Sequence, residues 1–90
     1  MAQKFRKMPV IVEAVRWDGS SRMAGSIVDW IERAGHSARI DVLYGGHEAI
    51  FIETPEGTMS ARGGDWIVKG VKGEFYPVAP DIFAETYEEV

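Results

Sequence analysis

From Ala38 onward the apolar residues recur every second position, and glycines interrupt the pattern every few residues. That rhythm restricts the fold more than any other feature of the chain. ARIDVLY (38–44) sets Ile40, Val42 and Tyr44 against Arg39, Asp41 and Leu43. Gly45-Gly46 then supplies a turn, because glycine adopts positive φ without steric penalty. HEAIFIET (47–54), TMSA (58–61), WIVK (66–69) and EFYPV (74–78) follow. They are joined by Pro55-Glu56-Gly57, Arg62-Gly63-Gly64-Asp65 and Gly70-Val71-Lys72-Gly73. Runs this short between glycine turns predict an antiparallel meander. Pro77 has no N–H for a ladder, so the last strand is expected at an edge.

Ahead of the meander, VIVEAVRW (10–17) is rich in β-branched residues and reads as a first strand. Val10, Val12 and Ala14 alternate with Ile11, Glu13, Val15 and Trp17. With apolar residues on both faces, the run is expected to be interior or at a subunit contact. In DGSSRMAGSIVDWIERAGH, Asp18, Ser20 or Ser21 can cap a helix by accepting a first-turn N–H. Met23, Ile27, Trp30, Ile31 and Ala34 make one helical stripe, and Gly35 is placed to end it. Gly25 lies inside and weakens it. Pro80-Asp81 starts a second helix running to about Glu88, with Ile82, Phe83 and Tyr87 as its contacts and Glu85 available to its first-turn N–H groups. The expected fold is α+β. A curved antiparallel sheet of five to six short strands packs on one main helix, with a short C-terminal helix.

Ninety residues, 46% of them hydrophobic, make a single domain, 1–90. A domain this small hides only about 60% of its unfolded surface, so self-association is expected to add burial. Without cysteine there can be no disulfide, thiolate metal site or cysteine nucleophile. No run reaches the length of a membrane span or a signal peptide, and the expected setting is cytoplasmic. Residues 1–22 carry five Lys/Arg (Lys4, Arg6, Lys7, Arg16, Arg22) against two acids, net +3; residues 23–90 carry five against twelve, net −7. An acidic body repels nucleic acid. Residues 1–8 read as a flexible basic arm, which suits docking on the body of another copy.

Several motifs invite chemical readings. The lysines of Lys69-Gly70 and Lys72-Gly73 precede their glycines and no Ser or Thr follows, so the phosphate-loop order fails. Gly70-Val71-Lys72-Gly73 matches the Gly-x-x-Gly string with which KH domains hold single-stranded RNA, but there the loop joins two helices. Here it lies between strand-like runs. Trp66, Phe75 and Tyr76 suit a core first, a protein-contact surface second and base stacking least. His36 and His47 lack a third ligand at metal spacing, no carboxylate pair is forced into one cleft, and Ser20 and Ser21 read as caps. No catalytic, cofactor-binding or metal-ligating residue is assigned.

The string GGDWIVKGVKGEFYPVAPDIFAETYEEV (63–90) and the opening KMPVIVEAVRWDG (7–19) together resemble a family of small proteins of tailed bacteriophages and prophages. Position 78 is Val where cysteine is expected in many relatives, so any thiol chemistry of theirs is absent here. The resemblance implies a phage protein in the host cytoplasm, of a class that often binds host proteins and inhibits host growth. The expected function is therefore a non-enzymatic, self-associating accessory protein that contacts a host or phage protein. Trp66, Lys69, Lys72, Phe75, Tyr76, Ile82 and Phe83 are its candidate contact residues. The alternative is a nucleic-acid-binding module using the basic arm and the Gly70–Gly73 loop.

Overall fold

The computed structural model describes all 90 residues. The elements are β1 (Glu13–Arg16), α1 (Ser21–Arg33), β2 (Ala38–Val42), β3 (Glu48–Thr54), β4 (Gly57–Ala61), β5 (Trp66–Lys69), β6 (Phe75–Val78) and α2 (Pro80–Thr86). The fold is α+β with every strand pair antiparallel, as expected. The single curved sheet is corrected to two three-stranded sheets. The first has the order β1-β5-β6 and the second β2-β3-β4.

The division occurs at Arg62–Asp65. This turn is closed by the Asp65 N–H donating to the Arg62 carbonyl (2.9 Å) and the Arg62 N–H donating to the Asp65 carboxylate (2.9 Å). Instead of returning along β4, the chain pairs with β1 in the register Glu13 to Lys69 and Arg16 to Trp66. Two further bonds extend that pairing past Arg16: Trp17 N–H to the Asp65 carbonyl (3.0 Å) and Gly64 N–H to the Trp17 carbonyl (2.7 Å). The two backbones then come so close that a Cβ on Gly63 would lie 2.9 Å from Gly19 Cα. Only glycine fits there.

Ser20 is the cap of α1, its Oγ accepting from the Met23 N–H at 3.1 Å. The Ser20 N–H in turn donates to Asp18 Oδ1 at 2.8 Å, and hydrogen bonding from the Ser20 side chain first, and its backbone second, holds the Asp18 carboxyl below its ordinary value. At the other end, His36 N–H reaches the Ile31 carbonyl and Gly35 N–H the Glu32 carbonyl, with Gly35 at φ 87°. Those two bonds are a Schellman motif. Helix α2 differs: Pro80 occupies its first turn, but no side chain caps it, so the expected role of Glu85 is not realised.

The core joins α1 to the inner faces of both sheets through Trp17, Ile27, Ile31, Ile50, Ile52 and Ile67, with Phe75 closing one end. Phe75 is 1% exposed. Its ring meets Trp30 edge-on at 4.9 Å and His36 at 5.5 Å. It is therefore withdrawn from the candidate contact residues. The first strand is also corrected. It spans Glu13–Arg16 rather than 10–17, and it is an edge strand, which overturns the interior placement and leaves the subunit-contact alternative. Residues 1–12 belong to no helix or strand. Pro77 lies on the edge strand β6, where its missing N–H leaves no ladder bond unmade.

Gly63→Ala should lower stability by about 1–3 kcal/mol, since two backbones would have to separate. Gly25→Ala should raise it by about 0.8–1 kcal/mol, because that helical position is exposed and a Cβ there meets nothing within 4 Å. Urea unfolding of both variants beside the parent checks the opposite signs.

Candidate functional site

Side chains alternate across a strand, so the residues of the first sheet divide between its two faces. Val15, Ile67 and Phe75 point into the core, while Ala14, Trp66, Val68, Tyr76 and Val78 point the other way. Val68 is fully buried without belonging to the core cluster. This second face also carries a group of aromatic rings. Trp66 stacks on Phe83 at 4.1 Å with 7° between planes, and Phe83 on Tyr87 at 4.8 Å and 26°. The Tyr76 and Tyr87 hydroxyls share a hydrogen bond of 3.1 Å.

An open groove of about 480 Å³ runs beside this stack. Val10 and Val12 form one wall, and Trp66, Phe83 and Tyr87 form the other. Val90, Glu88 and Glu89 also line it, so its chain-end side is acidic. The Lys7 ammonium lies 5.9 Å from the centre of the Tyr87 ring, within cation–π range. The groove thus offers apolar walls and aromatic faces beside negative charge, which suits an apolar segment bearing basic residues.

The structure brings three of the candidate contact residues together: Trp66, Tyr76 and Phe83. Ile82 is on the same helix and 52% exposed. Lys69 is half-buried on the opposite face, its ammonium 5.9 Å from the Phe75 ring centre. Lys72 is exposed in the β5–β6 turn. That turn is already occupied by its own chain. Gly70 N–H donates to the Glu74 carbonyl (2.7 Å), Gly73 N–H to the Gly70 carbonyl (2.9 Å) and Lys72 N–H to the Glu74 carboxylate (3.1 Å). The Glu74 carboxylate also fills the space a Cβ on Gly70 would take. Negative charge where a phosphate would have to bind disfavours the Gly-x-x-Gly reading.

The other candidates are dispersed. His36 packs on Phe75, whereas His47 lies just beyond the Gly45-Gly46 turn. No group of three His, Asp or Glu side chains is placed to hold a metal ion. Ser21 donates its hydroxyl to the Glu48 carboxylate, while Ser20 serves as the cap. No helix is long and apolar enough to cross a membrane. The groove wall at Val10–Val12 and Tyr87, the hydrogen-bond partner of Tyr76, were not among the candidate contact residues, although the 10–17 run was read as interior or at a subunit contact. The only sequence sign of the former was the apolar run ahead of Glu13.

No protein-family model, curated protein or solved structure matches the chain. The geometry of the groove and its aromatic wall therefore carries the functional reading.

Burial first, and the bond to Tyr87 second, push the Tyr76 hydroxyl up to about 12 from an ordinary value of 10.0. A raised value favours the neutral form in the folded protein. The associated stabilisation is complete below pH 10.0 and is lost as pH rises toward about 12. Tyr87→Phe should therefore shift the last step of the phenolate absorbance titration to lower pH, as a spectrophotometric titration would read.

Proposed function

We propose that this chain is a small phage-encoded accessory protein that acts without catalysis, by binding another protein of host or phage origin. The observation that carries this reading is the Trp66–Phe83–Tyr87 stack beside an open apolar groove. Aromatic residues concentrate in the buried centres of protein interfaces, where a rigid ring contributes much area for little lost entropy. An apolar groove with charged neighbours is a common form of interaction site. Ile82 on the exposed side of α2 extends this surface, and Lys72 in the nearby turn suits an acidic rim on the partner. A rim charge of that kind affects encounter rate more than affinity. The resemblance of both chain ends to phage proteins supports a bacterial cytoplasmic setting. Inhibition of host growth is the expected consequence if the partner is a host protein.

The nucleic-acid reading retains the basic arm as its support but has lost the loop to Glu74. The test is capture from bacterial lysate with the tagged protein, in nuclease-treated and untreated halves, beside Ile82→Glu. The expected result is one protein enriched equally in both halves and depleted at least about tenfold by Ile82→Glu, a loss of the order of 1.4 kcal/mol. The variant should keep its circular dichroism spectrum. Recovery that vanishes after nuclease would favour the arm and nucleic acid instead. Full recovery by Ile82→Glu would exclude α2 as the contact.

A further inference from the structure

The run Val10-Ile11-Val12 is strand-prone in sequence yet carries no strand. Its partner runs out: β5 ends at Lys69, opposite Glu13, and the chain then turns at Gly70. The other side of β1 has no neighbour either, since the sheet order begins there. An open line of backbone N–H and C=O groups therefore extends along β1 and the residues before it, bounded by Pro9. Such an edge is a template for another strand.

Both faces of that edge are apolar. On the outer face is the groove already described. On the inner face, between β1 and α1, is a cleft of about 450 Å³ lined by Val15, Met23, Ile27 and Trp30, with Glu13 and Ser26. A strand added here would send alternate side chains into the two hollows, so it should be apolar at successive positions. Val10-Ile11-Val12 is itself such a run, and Ile11 is 80% exposed.

The surface area agrees. The chain exposes 6840 Å², whereas a folded monomer of its mass is expected to expose about 5200 Å². The surplus exceeds the roughly 800 Å² that each partner contributes to a standard interface. Exposed Phe5, Met8 and Ile11 contribute to it. Charge agrees as well. With net +3 over residues 1–22 and −7 over the remainder, two copies attract when the arm of each meets the body of the other.

We propose that the β1 edges of two copies pair antiparallel about a two-fold axis at Val12, from Val10 to Ala14. The two first sheets then become one six-stranded sheet, and each copy lays Val10, Ile11 and Val12 into the other's two hollows. A two-fold contact needs only one self-complementary surface, which this edge supplies. The inference rests on the groove being a protein-binding surface, and it names a second copy as an occupant.

Sedimentation equilibrium and amide hydrogen exchange on the full chain test it. The wild type should run at twice its 10.0 kDa mass, with the outward-facing amides of Val10, Val12 and Ala14 protected. Ile11→Glu, at a site exposed in the single chain, should raise the dimer dissociation constant at least about tenfold by setting a second carboxylate opposite Glu13 of the other copy. Lys4, Arg6 and Lys7 to Ala together should weaken the dimer and flatten its salt dependence. A wild-type monomer at all concentrations would overturn the proposal, as would a dimer whose Val10, Val12 and Ala14 amides exchange freely. These outcomes are independent of the capture experiment. A monomer whose lysate partner is lost in Ile82→Glu would overturn the dimer alone. A dimer that captures nothing else would overturn the heterologous reading alone.

Discussion

The Trp17 indole is wholly buried, and its one polar atom must find a partner inside the protein. Nε1–H donates to the Ser20 carbonyl at 2.9 Å, three residues along its own chain. That carbonyl also receives the Ala24 N–H of the first helical turn (3.0 Å). The Trp17 backbone meanwhile bonds in both directions to the Arg62–Asp65 turn. One residue thus fixes the end of β1, the start of α1 and the entry to β5. An unpaired indole N–H in this position would cost about 1–3 kcal/mol, so the three segments are held to one geometry.

The aromatic face follows from that joint. Once Trp17 is bonded to Asp65, β5 has no freedom of register against β1, and strand alternation decides where each side chain goes. Ile67 enters the core, while Trp66 and Val68 face outward. A slip by one residue would exchange them. Helix α2 is then held chiefly by its rings. Seven residues without a side-chain cap are too few to be helical alone. Stacking of Phe83 between Trp66 and Tyr87 provides what the helix lacks. The candidate binding surface and the anchoring of α2 are accordingly the same set of contacts.

Local signals carried much of this into the sequence. Ser20, Gly35, the helical stripe and the glycine turns each report a backbone requirement that a few neighbouring residues reveal. The meander of β2, β3 and β4 is legible for the same reason. What the sequence did not reveal depends on residues far apart in the chain. Nothing near Arg62-Gly63-Gly64-Asp65 says that β5 will leave the second sheet for β1, since the deciding contact is Gly63 against Gly19. Nothing near Phe75 separates it from Tyr76 until the register of β5 with β6 turns one inward and the other outward. The short β1 has the same origin, because its length is set by where β5 stops. At the site, Trp66, Tyr76 and Phe83 could be nominated as aromatic residues. The groove walled by Trp66 and Phe83 needed the path of Val10–Val12 alongside them.

The pairing of Glu13 with Lys69 has a consequence for how the protein is made. The second sheet consists of neighbours in sequence, and its contacts can form while synthesis continues. The first sheet cannot begin until β5 has emerged, so β1 must wait unpaired through most of translation. Closing so long a loop is entropically expensive and slow compared with hairpin formation. Folding should therefore proceed from the middle of the chain outward, with the beginning and the end of the polypeptide completing the structure together.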